Sequence, residues 1–80
     1  MKTTYKTIGT CSRQISIELT NGIVTAVSFE GGCDGNLQGI SRLVVGMKPV
    51  DIISRLEGID CESRGTSCPD QLTKALRQIL

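Results

Sequence analysis

Two runs of alternating apolar and polar residues predict a β-hairpin near the start of the chain. Large apolar residues alternate with polar ones over residues 14–20, and a second run over 23–29 is rich in β-branched residues. Asn21-Gly22 between the runs is a dipeptide that favours the tight turns of hairpins. The pattern predicts a hairpin over residues 14–29, preceded by a weaker first strand over residues 4–8.

The hairpin register is predicted from the requirement that large apolar side chains share one face of the sheet. A two-residue turn would divide these side chains between the two faces. A three-residue loop that ends in a left-handed Gly22 pairs Leu19 with Ile23. The same loop pairs Ile15 with Val27 and so gathers the large side chains on one face. The sequence therefore favours the three-residue loop.

After the hairpin the apolar period lengthens, and this change predicts three helices. The first helix takes Asp34 or Asn36 as its N-cap, the second begins at Pro49 and ends before Gly58, and the third has Pro69 as its first residue. The expected buried positions are, in chain order, Leu37, Ile40, Leu43, Val44 and Met47; Val50, Ile53 and Leu56; and Leu72, Ala75, Leu76, Ile79 and Leu80. Strands followed by helices predict an α+β fold, a three-stranded antiparallel sheet with three helices packed on one face.

The length and composition indicate one small domain over residues 1–80 with an aliphatic core. Tyr5 and Phe29 are the only aromatic residues among the 80. A domain of this size buries about 60% of the surface that its unfolded chain exposes, so its core is marginal. Small domains of this kind often gain stability from a metal, from disulfides or from oligomerisation.

The charge balance argues against two classes of partner. Nine basic and eight acidic residues give a net charge of +1, without a basic stretch suited to nucleic acid or to a membrane surface. No run approaches the 18 or so apolar residues that a membrane helix needs, and the start of the chain has no apolar region typical of a signal peptide. We therefore expect a cytoplasmic protein, whose thiols stay reduced.

Four cysteines in a chain without histidine carry the most distinctive chemistry. In the predicted register Cys11 lies opposite Gly31, so Cys11 and Cys33 are expected to converge at the open end of the hairpin. The glycines around Cys33 allow the backbone to wrap closely around a ligand. Cys33 precedes the first predicted helix and Cys68 begins the last, and helix N-termini favour the thiolate that binds metals.

Three interpretations of the cysteines are open. The leading one is a metal site, zinc or an iron–sulfur cluster, with three or four thiolate ligands. The second is a redox dithiol formed by Cys61 and Cys68. The third is a set of free thiols that only pack, which Cys61 fits best because it lies in a polar loop. Asp34 and Asp70 lie beside cysteines and are auxiliary ligand candidates, although each is also typical of a helix start.

The sequence gives little support to other chemistry. Residues 31–36 are a glycine-rich stretch before a helix, as in some phosphate sites, but they lack the ending of a P-loop. Arg13 and Arg64 are candidates to stabilise thiolates, and solvated surface charge is the simpler interpretation. Because no nucleophile lies with a histidine base, no catalytic residue is predicted.

The stretch Thr66-Ser67-Cys68-Pro69-Asp70-Gln71-Leu72 resembles the TSCPD domain. The resemblance extends through residues 31–36, 40–46 and 56–59. Members of that family occur as small four-cysteine proteins and as a C-terminal region of adenosylcobalamin-dependent ribonucleotide reductases. The resemblance implies a relation to those reductases and suggests a ribonucleotide reductase as a partner. The 80 residues do not include the barrel that carries reductase chemistry, so a ribonucleoside-diphosphate reductase activity is implied by the family name alone.

The layout also resembles the U-type iron–sulfur scaffold proteins. These share a cysteine before a hairpin, a glycine-flanked cysteine after it, a joint like the one here at residues 45–49, and a cysteine at the head of the last helix. That resemblance implies Cys11, Cys33 and Cys68 as metal ligands, with Cys61 as an extra and candidate fourth ligand. Arg13 and Ser67 stand where that family has aspartate and histidine, and its chaperone motif is missing. The resemblance therefore implies a metal pocket rather than cluster assembly and transfer.

The sequence thus predicts a small cytoplasmic domain that binds zinc, with an iron–sulfur cluster as the second choice of cofactor. One alternative is a thiol–disulfide accessory to a ribonucleotide reductase that uses Cys61 and Cys68. The other is a metal-free interaction module that uses its exposed sheet face. The sequence predicts no oligomeric state.

Overall fold

The computed structural model describes residues 2–8, 12–31, 34–60 and 65–79. Its elements are β1 (Lys2–Lys6), β2 (Ser12–Thr20), β3 (Ile23–Gly31), α1 (Asp34–Val44), α2 (Pro49–Leu56) and α3 (Cys68–Ile79). The strands form one antiparallel sheet in the order β1-β2-β3. A three-stranded antiparallel sheet followed by three helices confirms the predicted α+β fold, and β1 starts earlier than the predicted first strand.

The β2–β3 turn differs from the predicted three-residue loop. Thr20 pairs with Ile23, so the loop contains only Asn21 and Gly22. Both loop residues have positive φ angles, 53° and 77°, as a type I′ turn requires. Type I′ turns are favoured in two-residue hairpin loops because their backbone twist matches the right-handed twist of the strands that they join.

A register shift in the hairpin, rather than a longer loop, places the large apolar side chains on one face of the sheet. The pairing slides between Glu18 and Leu19, as at a β-bulge. Beyond the shift, Ile15 lies opposite Phe29 and Ile17 lies opposite Val27. The large apolar side chains therefore do share one face, but the predicted pairs Leu19–Ile23 and Ile15–Val27 are wrong. Gly31 likewise pairs with Ser12 instead of the predicted Cys11.

One apolar core joins the sheet to all three helices. The sheet contributes Ile15, Ile17 and Val24, and the helices contribute Val44 from α1, Ile52 and Ile53 from α2, and Leu72, Ala75 and Leu76 from α3. Each of these side chains is buried. The helices thus pack on one face of the sheet, as predicted.

Two predicted core positions are exposed. Leu43 is 78% exposed and Val50 is 57% exposed. In α1 the buried or half-buried apolar positions are Leu37, Ile40 and Val44, and Leu43 lies to one side of that row. In α2 the buried residues are Pro49, Ile52 and Ile53, and Val50 is turned about 100° from Pro49. Both short helices therefore bury narrower stripes than their sequences suggest.

The helix ends are close to those predicted. Pro49 is the first residue of α2 after Lys48 as N-cap, and Gly58 follows the Glu57 C-cap with a φ of 87°. The first helix begins at Asp34 itself, and Pro69 is the second residue of α3 rather than the first. The predicted core residue Leu80 lies outside the described residues. Among the helices in the described ranges, none has both the length and the apolar character needed to cross a bilayer.

Two glycine substitutions test the assigned turn and helix. Gly22→Ala should lower the free energy of unfolding by about 1 kcal/mol, because alanine is strained at a left-handed φ. Gly39→Ala should raise it by about 0.5–1 kcal/mol, because Gly39 lies inside α1 with open space at its Cβ position. Urea denaturation of both variants measures these opposite signs. A stabilising change at Gly22 or a destabilising one at Gly39 would contradict the assignment.

Candidate functional site

The first turn of α3 is fixed by residues on both sides of Cys68. Ser67 is the N-cap: its carbonyl accepts from the Gln71 N–H at 2.8 Å, and its Oγ accepts from the Asp70 N–H at 3.1 Å. Pro69 follows Cys68, where the missing N–H leaves no helical hydrogen bond unmade. Cys68 is therefore the first residue of α3, with a half-buried side chain.

Asp70 binds the chain that leads into this helix. It is only 2% exposed, and its Oδ1 accepts from the Gly58 N–H at 2.7 Å. Its Oδ2 accepts from the Thr66 hydroxyl at 2.6 Å and lies 3.4 Å from the Lys74 ammonium. Burial alone raises the pKa of this carboxyl. The hydrogen bonds from Thr66 and Gly58 and the charge of Lys74 outweigh burial, so the pKa of Asp70 lies below its usual value.

Gln71 joins the same turn to the connection between β1 and β2. Its Oε1 accepts from the Ile8 N–H at 3.1 Å, and its Nε2 donates to the Thr66 Oγ1 at 2.9 Å. The side chain is only 2% exposed, and both ends of its amide are satisfied. A buried amide of this kind holds two distant segments together, because leaving either group unpaired would cost about 1–3 kcal/mol.

Three further pairings join the ends of the connections around residues 9–11, 32–33 and 61–64. The Gly65 N–H donates to Asp60 Oδ1 at 2.6 Å, across residues 61–64. At the open end of the hairpin, Ser12 pairs with Gly31, and the Thr7 N–H donates to the Arg13 carbonyl at 3.1 Å. The ends of three connections are thus bound to neighbouring parts of the fold.

Of the predicted ligands, only Cys68 and Asp70 have side chains in the described part of the structure. Cys11, Cys33, Cys61 and Arg64 lie outside the described residues, so the ligand set, the Cys61–Cys68 redox pair and the convergence of Cys11 with Cys33 stay predictions. Asp34 begins α1, and nothing is described of its side chain. The Arg13 side chain is exposed, and its Nη2 lies 3.7 Å from Glu30 Oε1. Within residues 2–8, 12–31, 34–60 and 65–79, no three Cys, Asp or Glu side chains form a metal-binding group.

Sequence reasoning missed Thr66, Ser67 and Gln71 as the residues that organise this turn. Ser67 was detectable, because Ser-x-x-Asp resembles the capping box that starts many helices. The contacts of Asp70 with Gly58 and of Gln71 with Ile8 join residues 12 and 63 positions apart. No local pattern in the sequence encodes such pairings.

The fold and the helix start define the class of domain. The TSCPD family model matches residues 1–80, the whole chain. The protein therefore belongs to the TSCPD domain family, whose name spells residues 66–70, the segment that begins α3. This membership is consistent with a small domain related to regions of ribonucleotide reductases.

The comparison with curated proteins found no match, and neither did the comparison with solved structures. The resemblance to U-type scaffold proteins therefore gains no support from either search. The α+β architecture and the family membership stand without it.

Proposed function

We propose that the protein is a small metal-binding domain that holds zinc through Cys11, Cys33 and Cys68, with Cys61 as the candidate fourth ligand. The observation that supports this proposal is the pair of hydrogen bonds that ties the flanks of the Cys11 and Cys61 segments to the first turn of α3. Cys68 is itself the first residue of that turn. Zinc favours four tetrahedral ligands, and thiolates are among those it binds best.

The connection that carries Cys11 is bound to α3 directly. Ile8, three residues before Cys11, donates its N–H to Gln71 Oε1. Three residues of extended chain span at most about 11 Å, so connectivity limits the distance between Cys11 and the head of α3. Ser12, on the other side of Cys11, pairs with Gly31, and Gly31 is two residues before Cys33. The segments of Cys11 and Cys33 therefore start from one end of the hairpin.

The connection that carries Cys61 is bound at both of its ends. Gly58 donates to Asp70 Oδ1, and Asp60, next to Cys61, accepts from Gly65. Both oxygens of Asp70 are engaged by Gly58 and Thr66. This hydrogen bonding favours Cys61 over Asp70 as the fourth ligand, with Asp34 as the remaining oxygen candidate. The same thiolates would suit an iron–sulfur cluster, the second choice of cofactor.

Metal analysis of protein purified without oxygen tests the proposal. We expect about one zinc per chain, no visible absorbance, and thiols that react only after chelation or unfolding. Several irons per chain with visible absorbance would replace zinc by a cluster on the same ligands. Metal-free protein with four freely titrating thiols would overturn the metal site.

The second candidate function is a thiol–disulfide accessory to a ribonucleotide reductase. The Gly65–Asp60 hydrogen bond favours it, because it joins the neighbour of Cys61 to a residue three positions before Cys68. Oxidation of the two thiols to a disulfide would release two electrons and two protons to a disulfide of the partner. The test is to count free thiols in metal-free protein after incubation with oxidised glutathione. Loss of two thiols together would support this function over metal binding.

A further inference from the structure

A groove of about 730 Å³ runs between β3 and α1. Its strand wall consists of Gly31 and five consecutive residues, 25–29. Its other wall consists of Leu37, Gln38, Ser41 and Arg42 of α1 and of Val45, the residue after α1. The helical residues are spaced as neighbours on one face of α1. No residue of α3 lines the groove, and its one link to the proposed metal site is Gly31, two residues before Cys33.

The strand wall follows the outer strand of the sheet. Residues 25–29 bring side chains of both faces to this wall, because successive side chains of a strand point to opposite faces. β3 is an outer strand of the sheet, and β2 pairs with its other side. The groove therefore offers the backbone N–H and C=O groups of β3 as well as its side chains.

The chain already begins to cover this edge at one end. The Val24 N–H donates to the Met47 carbonyl at 3.0 Å, and the Val24 carbonyl accepts from the Gly46 N–H at 2.8 Å. Among the described residues, no other residue of β3 makes a backbone hydrogen bond outside its pairing with β2. An added strand would continue the pairing that Gly46 and Met47 start.

The two edges of the sheet are protected differently. β1, the opposite edge, carries Lys2 and Lys6, and charged residues on an edge discourage the addition of another strand. The 25–29 stretch of β3 contains neither a charged residue nor a proline. An uncharged edge beside a groove is a template for strand addition.

Arg42 supplies the groove with one charge. It is the charged residue among those that line the groove. Among the described residues it makes no ion pair, whereas Glu30 of β3 pairs with Arg13. The guanidinium group suits the two oxygens of a carboxylate. A second copy of β3 would bring an uncharged 25–29 stretch to Arg42, so an acidic segment is the better occupant.

We propose that this groove binds an extended acidic segment of a partner protein. The segment adds to β3 as a fourth strand, and one of its carboxylates pairs with Arg42. The backbone of β3 supplies most of the affinity, and Arg42 supplies the preference for an acidic residue. The domain then has a protein-docking function besides its proposed metal site.

A peptide titration tests this docking site on the full chain. The probes are capped six-residue peptides of alternating valine and threonine, with one aspartate moved through each position. In amide NMR spectra we expect the shifts and the slowed hydrogen exchange to concentrate at residues 25–29. Peptides N-methylated on the β3-facing side should not bind. If no member of the set binds at about 1 mM, or if acetate alone gives the same shifts, strand addition is overturned.

A charge exchange makes the test specific. Arg42→Glu should weaken binding of the acidic peptide roughly tenfold. It should strengthen binding of the same peptide with lysine in place of aspartate. Arg55→Glu is the matched control, because Arg55 lies on α2 and does not line the groove. Equal losses in the two variants would reduce the effect to net charge and overturn the role of Arg42. Unchanged melting temperatures for both variants show that the fold is intact.

Discussion

Cys33→Ser should lower the melting temperature of the zinc-loaded protein by roughly 10 °C or more. The reason is that the binding energy of a structural metal is also folding energy, and a small aliphatic core has little stability to spare. Cys33 comes two residues after Gly31 in the sequence, and Gly31 pairs with Ser12 at the open end of the hairpin, so a Cys33 thiolate ligand would join the sheet to the metal. Scanning calorimetry of the loaded protein measures the loss.

The same variant in the metal-free protein is the control. If Cys33 is a ligand, chelation should lower the melting temperature of the native protein and leave that of Cys33→Ser nearly unchanged. If Cys33 only packs, the substitution should lower the melting temperatures of the zinc-loaded and metal-free proteins equally. Equal losses with and without zinc would therefore exclude Cys33 as a ligand.

Asp70→Ala should lower the free energy of unfolding by about 3 kcal/mol. The substitution leaves the Gly58 N–H and the Thr66 hydroxyl without their acceptor, and it frees the connection before α3 from the helix. Urea denaturation of metal-free protein measures the loss apart from any effect on zinc. Glu57→Gln is the matched control: Glu57 bonds Arg77 at 2.5 Å, but this pair is exposed and its loss should matter little.

The lowered pKa of Asp70 also fixes the sign of a pH effect. The folded protein prefers the charged carboxylate, so the stabilisation is complete above the ordinary carboxyl pKa of 3.8. It is lost as the pH falls from there through the lower pKa of the folded state. Asp70→Asn in metal-free protein should remove this part of the acid sensitivity. An acid transition as steep as that of the native protein would contradict the assigned hydrogen bonds.

The sequence predicted the elements of the fold better than their exact pairing. Alternation and Asn21-Gly22 located β2 and β3, the lengthened apolar period located the three helices, and β1 begins two residues before the predicted first strand. The predicted pairing of β2 with β3 was wrong because a two-residue turn seemed incompatible with one apolar face. A register shift between Glu18 and Leu19 satisfies both requirements. The prediction that Leu43 is buried was wrong because α1 buries a single narrow row of side chains.

The candidate site was predictable only in part, for a related physical reason. Cys68 could be placed at a helix start because Pro69 and Asp70 are local signals that favour the first turn. The contacts that organise that turn are long-range, as between Ile8 and Gln71. Their strength depends on burial that only the folded chain creates. Metal ligation by the cysteines stays a proposal for measurement to decide.

The hydrogen bond between Ile8 and Gln71 also sets an order of events during synthesis. It joins residues 63 positions apart, so the sheet can pair on the ribosome well before this bond exists. Cys11 and Cys33 emerge early, whereas Cys68 and the turn that holds it emerge near the end of these 80 residues. A zinc ion captured before then would meet an incomplete set of thiols. Loading of the proposed site with zinc would therefore follow translation of α3.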